Sequence, residues 1–183
     1  PLWNKFADLN AVPRPSKKET RVIQFMKDFG TSLGFETVED EVGNVIISKP
    51  ATEGMEDRKP IVMQSHLDMV HQKNNATVFD FEAQGIEMHV EGDWVKANGT
   101  TLGADNGLGV ATIMAILESD AIAHPALEAL FTIDEETGMT GAKGLKGGLL
   151  KGEILLNLDT EEDDEIGVGC AGGVDVTATR SYK

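Results

Sequence analysis

Cysteine is nearly absent: the 183 residues hold a single one, Cys170. No disulfide can form within the chain, and a reducing compartment is the simpler expectation. Basic residues are scarce beside acids, 16 against 31, for a formal net charge of −15. A phosphate backbone calls for a basic surface, so nucleic acid is not an expected partner. No uninterrupted apolar stretch approaches the ~20 residues of a membrane span, and no charged-then-apolar leader opens the sequence. A membrane is therefore not an expected partner either, and the expected setting is the cytosol.

Apolar residues are plentiful at 40%, and charged residues make up 26%. That balance predicts a packed core rather than disorder. The length suits one full domain or part of a larger one. The chain begins at Pro1 without a methionine and stops in "VDVTATRSYK", an alternating pattern with no closing element. It reads as a piece of a longer protein.

Strand and helix signals alternate. "SKKETRVIQFMKDFGTSLG" predicts a helix, with Ser16 and Glu19 as a capping box. Val22, Met26, Phe29 and Leu33 form its apolar stripe, and Gly34 its stop. "FETVEDEVGNVIISK" predicts two strands joined near Gly43, and "GIEMHVEGDWVKA" a hairpin turning at Gly92. "PIVMQSHLDMV" predicts a buried strand. "NGLGVATIMAILES" is apolar on nearly every side and predicts a buried helix. "ALEALFTI" and "EILLNL" are continuous apolar runs of the kind found mid-sheet with both faces covered. "CAGGVDVTAT" predicts one more strand. The fold class is α/β, a mixed, largely parallel sheet flanked by helices.

Polar residues gather where these runs end. "IVMQS" leads into His66 and Asp68, "ALFTI" into Asp134, Glu135 and Glu136, and "ILLNL" into Asp159. Asp105, in "LGADNG", stands at the entry to the buried helix. Ligands of open α/β sheets collect at the carboxyl ends of strands. Residues at i and i+2 of a strand share a face, so His66 and Asp68 can act together. A carboxylate bonded to a ligand imidazole fixes its tautomer and raises its basicity. Glu135 and Glu136 leave the strand end in opposite directions, so one can bind a metal while the other takes a proton.

One imidazole with several carboxylates suits zinc, manganese or cobalt. A single histidine among so many acids fits two ions sharing a bridging carboxylate, typically ~3.5–4 Å apart. Water at such a centre reaches a pKa near 7, and an unligated glutamate beside it would be the general base. Each part has an ordinary reading of its own: a chance His-x-Asp, a solvated acidic loop, a Gly/Asn turn. In "DTEEDDE", Asp159 alone is expected to matter. His71, His89 and His124 read as surface or packing residues, and Cys170 as a small packed one. The combination, each member after an apolar strand, is what points to a metal centre.

The strings "HLDMV", "GTTLGADNGLGVA", "DEETGMTGA" and "NLDTEEDDEIGVGCAGG" resemble the aminoacyl-histidine dipeptidases (peptidase D, Xaa-His dipeptidase). These belong to the co-catalytic zinc metallopeptidases, with peptidase T, carnosinases and succinyl-diaminopimelate desuccinylase. The resemblance extends over essentially the whole chain. It implies that His66 and Asp159 bind one metal, that Asp105 bridges two, and that Glu136 binds the other. It implies Glu135 as the general base and Asp68 as the residue that orients His66. It also implies a cis peptide bond between Asp105 and Asn106.

The implied activity is two-metal hydrolysis of dipeptides, including Xaa-His, by a metal-bound hydroxide. One departure matters: the family's second histidine ligand has no counterpart, since no histidine follows Glu136. Residues 1–183 would then be the first part of a zinc-exopeptidase-like catalytic domain. The rest of that domain and the lid domain, which often mediates dimerisation, would lie outside the chain, and this chain alone would be inactive or nearly so. Two other readings stand beside it: an amidohydrolase on the same fold (a deacylase or desuccinylase), and a non-catalytic binding protein that keeps the fold.

Overall fold

A computed structural model of the protein describes residues 1–160, 164–169, 172–174 and 176–182. Four helices and seven strands follow in the order α1 (Leu2–Asn10), α2 (Thr20–Ser32), β1 (Glu36–Glu39), β2 (Val45–Lys49), β3 (Ile61–His66), β4 (Met88–Glu91), β5 (Trp94–Ala97), α3 (Ala104–Glu118), β6 (Leu127–Thr132), α4 (Thr140–Gly144) and β7 (Ile154–Asn157). Five strands form one sheet in the order β1-β2-β6-β3-β7, and β4 pairs with β5 as a separate hairpin. In the large sheet β3 runs parallel to both β6 and β7, while β2 is antiparallel to β1 and to β6. Only β2 therefore runs against the others, and the sheet is mixed but largely parallel. None of the helices among the described residues is long and apolar enough to cross a membrane.

The strands form where apolar runs offer side chains to both faces. On one face Val45, Ile47, Met63, Leu127, Ala129 and Phe131 meet Leu9 of α1, Val22 and Met26 of α2, and Val110, Ile113, Met114 and Leu117 of α3. The α3 residues recur at i, i+3, i+4 and i+7, one helical stripe. Each large apolar side chain so buried contributes about 1.5–3 kcal/mol. On the other face, among the described residues, Ile46, Val62 and Leu130 pack against Leu145 and Leu150. Lys49, nearly buried, reaches from β2 to the carboxyl end of α3, where its Nζ donates to Leu117 O at 3.0 Å and Ser119 O at 2.7 Å. A cation there satisfies helix-end carbonyls that have no partner within the helix.

Three sequence expectations change, and one element is new. Ser16 and Glu19 make no capping box: α2 begins at Thr20 without a side-chain cap. Both side chains turn instead toward buried donors and acceptors near Asp68. β7 is not mid-sheet. Among the described residues it lies at the edge, with Leu155 61% exposed, so its apolar run calls for cover that these residues do not supply. No strand forms among the described residues of 172–182, and Cys170 lies outside the described residues. Finally, α1 was not anticipated; Phe6 and Leu9 bury its inner face, and it packs on α3.

Candidate metal centre

The sheet order sets up the site. β3 lies between β6 and β7, and all three run the same way. Their carboxyl ends are therefore side by side, with His66 at the end of the middle strand, opposite Thr132 of β6. Two residues beyond Thr132 the chain turns at Asp134, whose φ of 50° lies in the left-handed region. The Thr137 and Thr140 hydroxyls donate to the two oxygens of its carboxylate and close the turn. Glu135 and Glu136 follow directly. On the other side of β3, β7 leads into Asp159.

The fourth contribution comes from above the sheet. Helix α3 opens at Gly103 (φ 72°), and its first turn is broken at Asp105 (φ −85°, ψ 114°) and Asn106. The Asp105–Asn106 peptide bond is cis. Asp105 is directed at His66: its Oδ1 is 3.1 Å from Nε2. Glu135 Oε2 and Asp159 Oδ1 are each 3.9 Å from the same nitrogen. His66, Asp105 and Glu136 each present one ligand atom within 4.8 Å of the others.

The other ring nitrogen of His66, Nδ1, faces Asp68, at 3.1 Å from its backbone oxygen and 3.3 Å from its Oδ1. An N–H directed there leaves the Nε2 lone pair for a cation. Asp68 does more than hold the ring. It accepts from the N–H groups of Glu135 (2.9 Å) and Glu136 (3.3 Å) and from the Ser16 hydroxyl (2.7 Å). Burial alone would raise its pKa. The bonds from His66, Glu135 and Ser16 outweigh that and bring it down to about 2. Burial likewise opposes a charge on His66, but Asp68, Asp159 and Glu135 overcome it and raise the ring to about 9.

The remaining acids are held in tension. Burial raises the pKa of Glu135, and Asp159, Asp68 and Asp105 add to it against His66. Burial raises Glu136, helped by Asp105 and Glu135. Burial raises Asp159, and Asp105 adds to it while His66 opposes. So much negative charge around one imidazole asks for a cation. A second set of acids, Glu19, Asp68 and Asp134, also has oxygens within 4.8 Å of one another and is fully buried. Each of those already accepts hydrogen bonds: Glu19 takes the N–H groups of Lys17 and Asp134. His71 and His89 are exposed, and His124 is buried with its Nδ1 against Pro125 O.

Residues 62–177 match the model described as Peptidase family M20/M25/M40. The chain belongs to this family. It is 51% identical over 178 residues to the cytosol non-specific dipeptidase of Escherichia coli, covering 97% of this chain and 37% of that protein. Its structure is similar to that of aminoacylhistidine dipeptidase from Vibrio alginolyticus, with a TM-score of 0.87, 51% identity, and coverage of 88% of this chain and 33% of the other. Aminopeptidase PepT from Bacillus cereus is also similar, with a TM-score of 0.74, 27% identity, and coverage of 88% and 43%. The chain thus spans little more than a third of the length of the Escherichia coli relative.

Within this M20-family chain, three residues to which the sequence analysis gives no role in the centre shape it. The Arg14 guanidinium, 1% exposed, donates to Leu67 O and Asp68 O on one side and to Gly103 O on the other. It ties the turn after His66 to the turn before Asp105. Burial pulls its pKa down to about 10, against Asp68 and Asp105. A Cβ on Gly103 or Gly107 would come within 2.5 Å or 2.7 Å of its Nη2, so these glycines make room for it. Glu19 anchors the Asp134 N–H at 3.0 Å. Asn106 donates to Asp159. None adds to the run of acids after strands, which was the signal followed; the one hint was the density of polar residues in "PRPSKKE".

Proposed function

We propose that the whole protein is a cytoplasmic dipeptidase acting on short peptides with a free amino terminus, Xaa-His among them, at a centre of two divalent cations. Residues 1–183 would form the first part of its catalytic domain, with the remainder, a lid and a second histidine ligand supplied by sequence outside this chain. The observation that carries this reading is convergence. Carboxylates from three separate segments surround one imidazole nitrogen carried by a fourth, the nearest at 3.1 Å. The relatives' names and the 51% identity to the Escherichia coli dipeptidase support the substrate class.

The residues present fit the metals. An imidazole fixed through Nδ1 and four carboxylates in mutual repulsion form a borderline-hard donor set suited to zinc, with manganese or cobalt as neighbours in chemistry. His66 and Asp159 would hold one ion, Glu136 the other, and Asp105 both. When bound, the cations would polarise a scissile carbonyl and bring a nearby water toward a pKa of about 7. Glu135 would take the proton of the attacking water and give it to the leaving amine. Burial and the neighbouring acids raise its pKa, the direction that favours holding a proton between the two transfers. Asp68 would keep the imidazole oriented and hold the backbone that carries both glutamates.

The test is Glu135→Ala in the full-length protein. Metal content should stay at the wild-type level, while dipeptide hydrolysis falls by about 10²–10⁴-fold. A near-normal rate would refute the base assignment. A panel of Xaa-His dipeptides beside N-acyl amino acids separates peptidase from deacylase: turnover of only the acylated set would overturn the substrate class.

A further inference from the structure

We propose that Asn106 is a positioning residue that holds Asp159 in the metal centre through its side-chain amide. The inference rests on the two-cation reading for what Asp159 does, and on the following geometry for how it is held.

Asp159 leaves the end of β7, the outermost strand, whose four side chains are all exposed. The ladder reaches Leu158, whose N–H donates to Gln64 O at 2.9 Å. Leu158 packs against the main core, but that contact leaves the Asp159 carboxylate without a direction. Asn106 supplies it from α3. Its Nδ2 donates to Leu158 O at 2.7 Å and to Asp159 Oδ1 at 2.8 Å. Both amide hydrogens are used, one on the backbone and one on the carboxylate. The oxygen so engaged, Oδ1, is also the one 3.9 Å from His66 Nε2, and a carboxylate oxygen that accepts one hydrogen bond keeps a second lone pair for a cation.

The amide itself has little freedom. Asn106 is 5% exposed. A Cβ on Gly109 would lie within 2.5 Å of Asn106 Oδ1, Leu158 O and Ser65 Oγ, so the glycine leaves the space in which helix, strand and amide meet. Asn106 Oδ1 has no hydrogen-bond partner among the described residues. The reversed amide would set that oxygen against two acceptors, so the orientation is dictated by Leu158 O and Asp159. Asn106 also follows Asp105 directly in the chain. Asp105 and Asp159 are thereby coupled, and both face His66 Nε2.

The test uses full-length protein loaded with Co²⁺, titrated against a competing chelator and followed by visible absorption. The wild type should take two equivalents. Asn106→Ala should bind one of them about 10–100-fold more weakly, as expected for loss of a group that orients a ligand. It should be the same equivalent that Asp159→Ala weakens, its absorption envelope should change, and the other equivalent should be unaffected. If Asn106→Ala does not fold, Asn106→Ser serves: it keeps a donor for Leu158 O but is too short to reach the Asp159 carboxylate. A folded variant with both equivalents at wild-type affinity and an unchanged spectrum overturns the positioning role and leaves the two-cation reading intact, even where its metal-free form melts lower. A wild type that binds no Co²⁺ overturns that reading and this role with it.

Discussion

Asp68 and Glu19 are both buried acids near the same turn, yet burial has opposite outcomes for them. Asp68 gains enough donors to stay ionised well below the usual range, at about 2. Glu19 does not: burial pushes its pKa up, the Lys17 and Asp134 N–H groups pull it down, Asp68 pushes it up again, and the net shift is upward. A folded pKa above the unfolded one means that folding takes up a proton. The contribution of Glu19 to stability is therefore fullest at low pH and declines as pH rises from the ordinary glutamate range through the raised one. Glu19→Gln keeps the acceptor oxygen for both N–H groups and removes the titration. In the presence of chelator, the melting temperature of Glu19→Gln relative to wild type should climb from pH 4.5 to pH 7.5, whatever constant offset the new amide adds. A difference that stays flat over that interval would exclude a raised Glu19.

Elements differ in how much of their role is written locally. The runs behind α3 and β6 reveal buried elements because no polar face interrupts them, and the strand-end rule makes His66, residues 134–136 and Asp159 legible as a group. β7 is a different case. Its composition reads alike for a covered strand and for an edge, since apolar character on both faces says only that cover is wanted. The Ser16/Glu19 spacing is ambiguous in the same way: it fits a local cap, but the long-range donors near Asp68 win. Arg14 and Asn106 act through carbonyl and carboxylate oxygens 52 to 89 positions away, which no local pattern encodes. Among the described residues β7 is an edge strand with Ile154, Leu155 and Leu156 at 42%, 61% and 47% exposure, and such an edge is a template for pairing with another strand. The 183-residue chain should therefore self-associate as concentration rises in sedimentation or light scattering. Leu155→Lys should reduce that association while changing stability by no more than about 0.5 kcal/mol, as at other exposed positions. Equal association of the two forms would mean that another surface is responsible.

At the scale of the molecule, a net charge of −15 is distributed unevenly. Asp105, Glu135, Glu136 and Asp159 meet around His66, and Asp68 and Glu19 lie behind them. Two like charges ~4 Å apart repel by roughly 4 kcal/mol at an effective dielectric of about 20. Two divalent cations would offset four charges where they crowd most. Removing metal should then destabilise the whole fold, since these acids bridge β3, β6, β7 and α3. A ligand at 100 times its dissociation constant adds about 2.7 kcal/mol. At about 2–4 °C per kcal/mol for a domain near this size, chelation should lower the melting temperature by roughly 5–10 °C. Salt separates this from a mere loss of contacts. Screening relieves repulsion among partly exposed carboxylates, so added sodium chloride should raise the melting temperature of the metal-free protein more than that of the zinc- or manganese-loaded one. The gap between the two forms should narrow as salt rises, and Asp105→Ala, which removes the acid nearest the imidazole, should narrow it without salt. A gap that is absent in chelator, or unchanged by both salt and Asp105→Ala, would place the molecule's charge balance somewhere other than this centre.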